Sequence, residues 1–179
     1  MYGSSAVLSQ RAIAPRLAAS VLFLVLAMVA CAPRSSDVAV DQGPAHNDPV
    51  AERLLDLVNQ ERAHGAVCGG KAMPPAPRLS LERRLVRAAQ LHTADQATRN
   101  VMSHVGKDGS TVGQRVSRAG YEWSLVAENV AWGYDSPEDV VRAWMNSPAH
   151  CESIMRAEER ELGAAELRSF WTLVFATPR

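Results

Sequence analysis

An α+β fold, with helices on both faces of a small sheet of three or four strands, is what this 179-residue sequence predicts. Three observations carry that prediction. Capped segments with apolar residues at helical spacing fill the stretch from Asp48 to Ala119 and return after Ser136. Extended segments come late: aromatic and β-branched residues mark Tyr121–Trp132 and Phe170–Phe175, and Leu162–Ala165 is a weaker strand pattern. No internal repeat or heptad run competes with a single mixed domain at residues 48–179.

Before that domain, residues 1–30 hold Arg11, Arg16 and no acid, then an apolar run from Leu17 to Ala30. The run is too short to span a bilayer as a helix and has the flanks of a secretory signal peptide. Residues 31–47 mix Pro, Ser, Gly and Asp with short aliphatics and have no periodicity, the composition of a flexible tether. Without the leader, 17 basic side chains face 19 acidic ones, about −2 in sum. No cluster of positive charge marks a nucleic-acid surface, so none is expected as a partner.

Asp48 and Pro49 open the first helix as N-cap and first helical residue, Val50, Leu54, Leu55, Leu57 and Val58 give it an apolar face, and Gly65 ends it. Residues 66–79, with Cys68, two glycines and three prolines, read as an irregular loop that needs pinning. Ser80 reads as the cap of a second helix running to about Thr98, with Leu81, Leu85, Ala88, Ala89, His92 and Gln96 on one side; His92 reads as a hydrogen-bonded core histidine. A loop over 100–110 holds His104, and a short helix over 111–119 stops at Gly120. Tyr121–Trp132 reads as extended. Ser136-Pro137-Glu138-Asp139 starts another helix with a capping-box pattern, and Ser147-Pro148 starts one more, placing His150 in its first turn.

Within the extended segment, Glu128 sits among small and apolar residues. A carboxylate taken out of water needs a cation, a metal or several hydrogen-bond donors. His104 and His150 flank Glu128 in sequence, 24 residues before and 22 after, so the three are the candidate cavity residues. Three N or O ligands are also the least a zinc site takes. The competing reading is a hydrogen-bonded His104–Glu128 pair that fixes the loop to the sheet or floors a ligand pocket. Catalytic signatures are thin: there is no His-Glu-x-x-His, no Gly-x-Ser-x-Gly, no phosphate-binding glycine loop and no Cys-x-x-Cys.

Met28-Val29-Ala30-Cys31 resembles the lipobox at which bacterial lipoproteins are cut and their new N-terminal cysteine acylated. That implies a membrane partner through a lipid on Cys31, with outer-membrane placement if the organism has one, because Ala32 is not the Asp that retains many such proteins at the inner membrane. The alternative is an ordinary exported protein or an uncleaved anchor with Cys31 as a spare thiol. With Cys31 set aside, Cys68 and Cys151 form an even pair, which in an exported chain points to a disulfide ahead of a metal site or two reactive thiols. Closing that 83-residue separation would lower the unfolded chain's entropy by about 4 to 5 kcal/mol in the ideal limit.

Six pieces in order, Asn59-Gln60-Glu61-Arg62, Ser103-His104, Ala119-Gly120-Tyr121, Glu128-Asn129-Val130-Ala131, Trp144-Met145-Asn146-Ser147-Pro148-Ala149-His150 and Phe170-Trp171-Thr172-Leu173-Val174-Phe175, resemble the CAP superfamily of cysteine-rich secretory proteins, antigen 5 and pathogenesis-related proteins. This group is also called the SCP domain, its bacterial branch matches best, and the resemblance spans about residues 50–176. It implies a three-layer α-β-α sandwich with a small, mainly antiparallel sheet, and a cavity whose histidines and glutamates bind a divalent metal such as zinc in some members. His104 and Glu128 fall on that constellation. Ala127 stands where the family has Gly, the second glutamate is missing near Asn146 and Ser147, and Phe170 stands where the second histidine would be. His150 belongs to the bacterial Ser-Pro-x-His pattern and would have to substitute from another direction, and the cysteine pair resembles that of some bacterial members. The function this implies is extracytoplasmic binding of a divalent metal, a small apolar molecule, an envelope component or a protein. The alternative is a metal-dependent hydrolase of peptide or cell-wall material.

Overall fold

The computed structural model describes residues 48–179; the expected signal peptide (1–30), Cys31 and the tether (31–47) lie outside the described residues. In order come α1 (Pro49–His64), β1 (Ala66–Cys68), β2 (Lys71–Met73), β3 (Ser80–Leu81), α2 (Arg83–Arg99), α3 (Val112–Arg118), β4 (Trp123–Trp132), α4 (Pro137–Met145), α5 (Pro148–Met155), β5 (Glu161–Leu167) and β6 (Phe170–Pro178). No helix among the described residues is long and apolar enough to cross a membrane.

The caps explain where most helices begin. Asp48 Oδ1 accepts from the Val50 and Ala51 N–H groups at 3.1 and 3.2 Å, filling donors that the first turn leaves open. Ser136 caps α4 through the Asp139 N–H at 3.1 Å, and Thr111 with Gln114 makes a reciprocal capping box on α3. The second helix departs from expectation. Ser80 does not cap it: Ser80–Leu81 pair in parallel with Glu161–Leu162, and α2 starts at Arg83 with Glu82 as its cap. The supposedly irregular stretch also holds structure, a small antiparallel hairpin of β1 and β2 that turns at Gly69 and Gly70, whose φ of +58° and +90° suit glycine.

The four-stranded sheet runs β3-β5-β6-β4, with only the β3–β5 pair parallel. Side chains alternate along each strand, so β6 divides its residues between two cores. Trp171, Leu173 and Phe175 meet α1, α4 and α5 on one face, whereas Val174 and Ala176 meet α2 and α3 on the other. This is the expected three-layer sandwich. Fully buried side chains such as Leu54, Leu173 and Phe175 stabilise it by about 1.5 to 3 kcal/mol each. On the α2 face the approach is so close that a Cβ on Gly163 would lie 2.0 Å from the Leu85 carbonyl carbon.

Polar groups on α1 fasten the irregular stretches. Asn59 exchanges two hydrogen bonds with the Leu79 backbone at 3.0 and 2.8 Å. Fully buried Arg62 donates to the carbonyls of Pro77, Ile154 and Arg156 at 2.7, 2.6 and 2.9 Å. Near it lies Glu159, 0% exposed, with no hydrogen-bond partner for either carboxyl oxygen among the described residues. A disulfide joins Cys68 of the hairpin to Cys151 of α5, with Cα atoms 5.5 Å apart.

Candidate functional site

The site is built from α2, the loop that follows it, α3 and β4. Along α2, His92, Thr93 and Gln96 lie on the buried stripe, where polar side chains must find partners. Thr93 Oγ1 and Gln96 Nε2 bond Thr172 on β6 at 2.8 and 3.1 Å. The other end of Gln96 accepts from the Ser103 N–H at 3.0 Å, and His92 Nε2 donates to the Ser103 carbonyl at 2.7 Å. Ser103 is thus gripped through both its backbone groups. Its neighbour His104 is aimed by that grip.

Glu128 projects from β4 toward α2 and α3, its side chain only 2% exposed. Its Oε1 accepts from His104 Nδ1 at 2.9 Å, and its Oε2 accepts from Arg115 Nη2 at 2.5 Å. Arg115, on α3, also donates to the carbonyls of His104 and Ser110 at 3.1 and 2.7 Å, so one guanidinium holds the carboxylate and two points of the loop. His92 Nε2 lies 3.9 Å from Glu128 Oε1, within reach of its charge though not bonded to it. Burial, aided by the Arg115 charge, holds the His92 imidazolium below the ordinary histidine range despite the raising effect of Glu128.

Of the three residues singled out from sequence, the structure brings together two. His104 and Glu128 meet; His150 does not join them. Asn129, the next residue on β4, points to the opposite face and donates to the His150 carbonyl at 3.1 Å, so α5 packs on the far side of the strand from the carboxylate. His150 is near enough to His104 to feel its charge, which adds to burial in pushing the His150 imidazolium down.

Zinc does not fit here. Among the described residues no three His, Cys, Asp or Glu side chains are placed to hold a metal ion. Both Glu128 oxygens are engaged, one of them by a guanidinium that would repel a second cation. Arg115, not a second histidine, supplies the positive charge that a buried Glu128 needs. Its signal was present: a short capped helix immediately before the strand carries an arginine four residues after its cap.

The family model for the cysteine-rich secretory protein family, CAP, matches residues 55–169. An uncharacterized protein of Bacillus subtilis, YkwD, is 25% identical over 134 residues, covering 74% of this chain and 49% of that protein. An uncharacterized membrane protein of the same organism, YlbC, is 25% identical over 125 residues, covering 69% and 33%. This chain therefore spans half or less of the length of these curated relatives. Among solved structures, an extracellular protein containing an SCP domain from Bacillus anthracis superposes with a TM-score of 0.62 at 23% identity, covering 70% of this chain and 39% of that one. An outer surface protein of Borrelia burgdorferi gives 0.58 at 20% identity, covering 72% and 95%. Those two likenesses are likenesses of fold.

Proposed function

We propose, from the premise that this chain belongs to the cysteine-rich secretory protein family, that it is an exported domain, tethered to a membrane by a lipid on Cys31, which works by binding a small molecule or envelope component at the His104–Glu128 pair. The observation that carries this reading is the contrast within the pair. The Glu128 side chain is 2% exposed and the His104 side chain 57%, so one edge of the imidazole is anchored while the other faces outward. An anchored ring loses little rotamer freedom when a ligand arrives, and its outer nitrogen can accept or donate according to its protonation. Export is supported by the leader and by the relatives, one described as extracellular and another as an outer surface protein.

One feature favours a second reading. A carboxylate that orients an imidazole with its far nitrogen turned outward is also the arrangement of a general base, which would suit hydrolysis of peptide or cell-wall material. The metal-dependent form of that reading lacks its ligands, and the adjacent Ser103 Oγ is engaged with the Val105 N–H at 3.0 Å. Binding is the better-supported role.

The test compares native mass spectra of mature protein extracted from host membranes, wild type against His104→Ala. A small-molecule adduct should accompany the wild type and be missing from the variant, which keeps its fold through the Arg115 clamp at a cost of about 1 to 3 kcal/mol for the donor that Glu128 Oε1 loses. The same adduct on both proteins, or none on either, would sink the binding role. Peptide mapping of the same material should find acylated Cys31 as the first residue; an unmodified N-terminus would remove the tether.

A further inference from the structure

A groove of about 460 Å³ lies between α2 and the wall formed by residues 106–110 and α3. It is distinct from the His104 edge, since neither His104 nor Glu128 lines it. From the groove geometry we infer a second binding site, for a small amphipathic anion that carries a hydrogen-bond donor on its apolar body.

Charge argues for the anion. Four cationic side chains line the groove, Arg87, Lys107, Arg115 and Arg118, against two acids, Asp95 and Asp108. Arg115 is engaged with Glu128 and Arg118 with Asp108. Asp95 is held by Arg99 and by the Lys107 N–H, and Asp108 also takes the Ser110 N–H. Arg87 and Lys107 have no side-chain partner among the described residues, so the rim carries uncompensated positive charge. Such a rim attracts an anion and holds it by charge-assisted hydrogen bonds.

Burial argues for the apolar body. Ala88, Leu91, Ala94 and Ala119 form the walls, and Leu91 is 60% exposed although it is a leucine on a helix that otherwise buries its large apolar residues. The volume lies in the ordinary range for a small-molecule site.

His92 argues for the donor. Its ring is buried and belongs to the groove lining, yet Nδ1 has no hydrogen-bond partner among the described residues. Because Nε2 gives its proton to the Ser103 carbonyl, Nδ1 of the neutral ring holds a bare lone pair. A buried acceptor left in that state costs about 1 to 3 kcal/mol, which a hydroxyl or N–H from a ligand would recover.

Three probes separate these contributions: 4-(4-hydroxyphenyl)butanoate with anion, body and donor; 4-phenylbutanoate without the donor; and 4-butylphenol without the anion. Amide chemical shifts of the mature protein are followed through each titration. The hydroxylated acid should give saturable shifts centred on residues 87–98 and 106–119, and each truncated probe should bind about tenfold more weakly. The Arg87→Gln/Lys107→Gln double variant alters only exposed side chains. It should lose about tenfold in affinity for both acids and nothing for the phenol. Leu91→Glu, also on the surface, should abolish binding of the acids. Shifts centred on another surface, equal affinity for the hydroxylated acid and either truncated probe, an unaffected double variant, or no saturation by about 10 mM would overturn the proposal.

Discussion

Replacing Glu159 by Gln should remove a pH dependence that the native protein carries between mildly acid and mildly alkaline conditions. Glu159 is 0% exposed, and neither of its carboxyl oxygens is hydrogen-bonded among the described residues. Arg156 lies 3.8 Å away, too far for a hydrogen bond, and the closest Arg62 bonds go to backbone carbonyls. Burial therefore wins over these two cations and pushes the carboxyl up from 4.5 to about 7. Between those values the folded protein keeps a proton that the unfolded chain has released. The contribution is fully present below 4.5 and is lost as pH rises through about 7. At about 1.4 kcal/mol per pH unit, the interval is worth about 3 kcal/mol. Urea unfolding of wild type and Glu159→Gln at pH 5 and pH 8 measures it. His92 and His150, whose imidazolium forms are disfavoured by burial, act in the opposite sense and lose stability as pH falls, but they act equally in both proteins. The variant should gain on the wild type by up to about 3 kcal/mol between the two pH values. A stability difference identical at pH 5 and pH 8 would refute the reasoning, because it would mean that Glu159 does not titrate in that interval.

Three other outcomes are expected. Arg115→Met should cost about 3 to 5 kcal/mol in chemical denaturation by leaving Glu128 buried without its cation, and adding Glu128→Gln should restore much of that loss. Gly163→Ala should lower stability by about 3 kcal/mol or more, seen as a fall in Tm, because the new methyl would collide with the backbone of α2 rather than with a side chain that can move. A non-reducing peptide map should join the fragments holding Cys68 and Cys151, and reduction should destabilise the domain by up to about 4 to 5 kcal/mol; free thiols on both would contradict the structure.

What could be read from the sequence was what local chemistry decides. Asp48-Pro49 and Ser136-Pro137 announce helix starts because a cap acts within three residues, and the structure places both as expected. Ser80 misled for the converse reason: its partners are Arg160 and Glu161, some 80 positions on, and no local pattern separates a cap from a two-residue parallel strand. The demand that a buried Glu128 find company led correctly to His104. Arg115 stayed hidden behind the histidines, although a guanidinium is the stronger answer to a buried carboxylate. His150 was drawn in as a third member, but it meets Asn129 through its backbone carbonyl, and its imidazole, though near His104, makes no bond to Glu128 among the described residues.

Two adjacent polar residues in a strand that, among the described residues, pairs with one neighbour give β4 the character of a partition wall. The carboxylate serves one room and the amide the other, so substitutions on the α5 side can accumulate without reaching the Arg115 clamp. An insertion or deletion is another matter. The pairing of β4 with β6 already slips between Trp123 and Leu125, and losing one residue there could exchange the two rooms' furniture, turning Glu128 toward α5 and Asn129 toward Arg115. The count of residues between that slip and Glu128, more than their identity, therefore fixes which face each side chain serves.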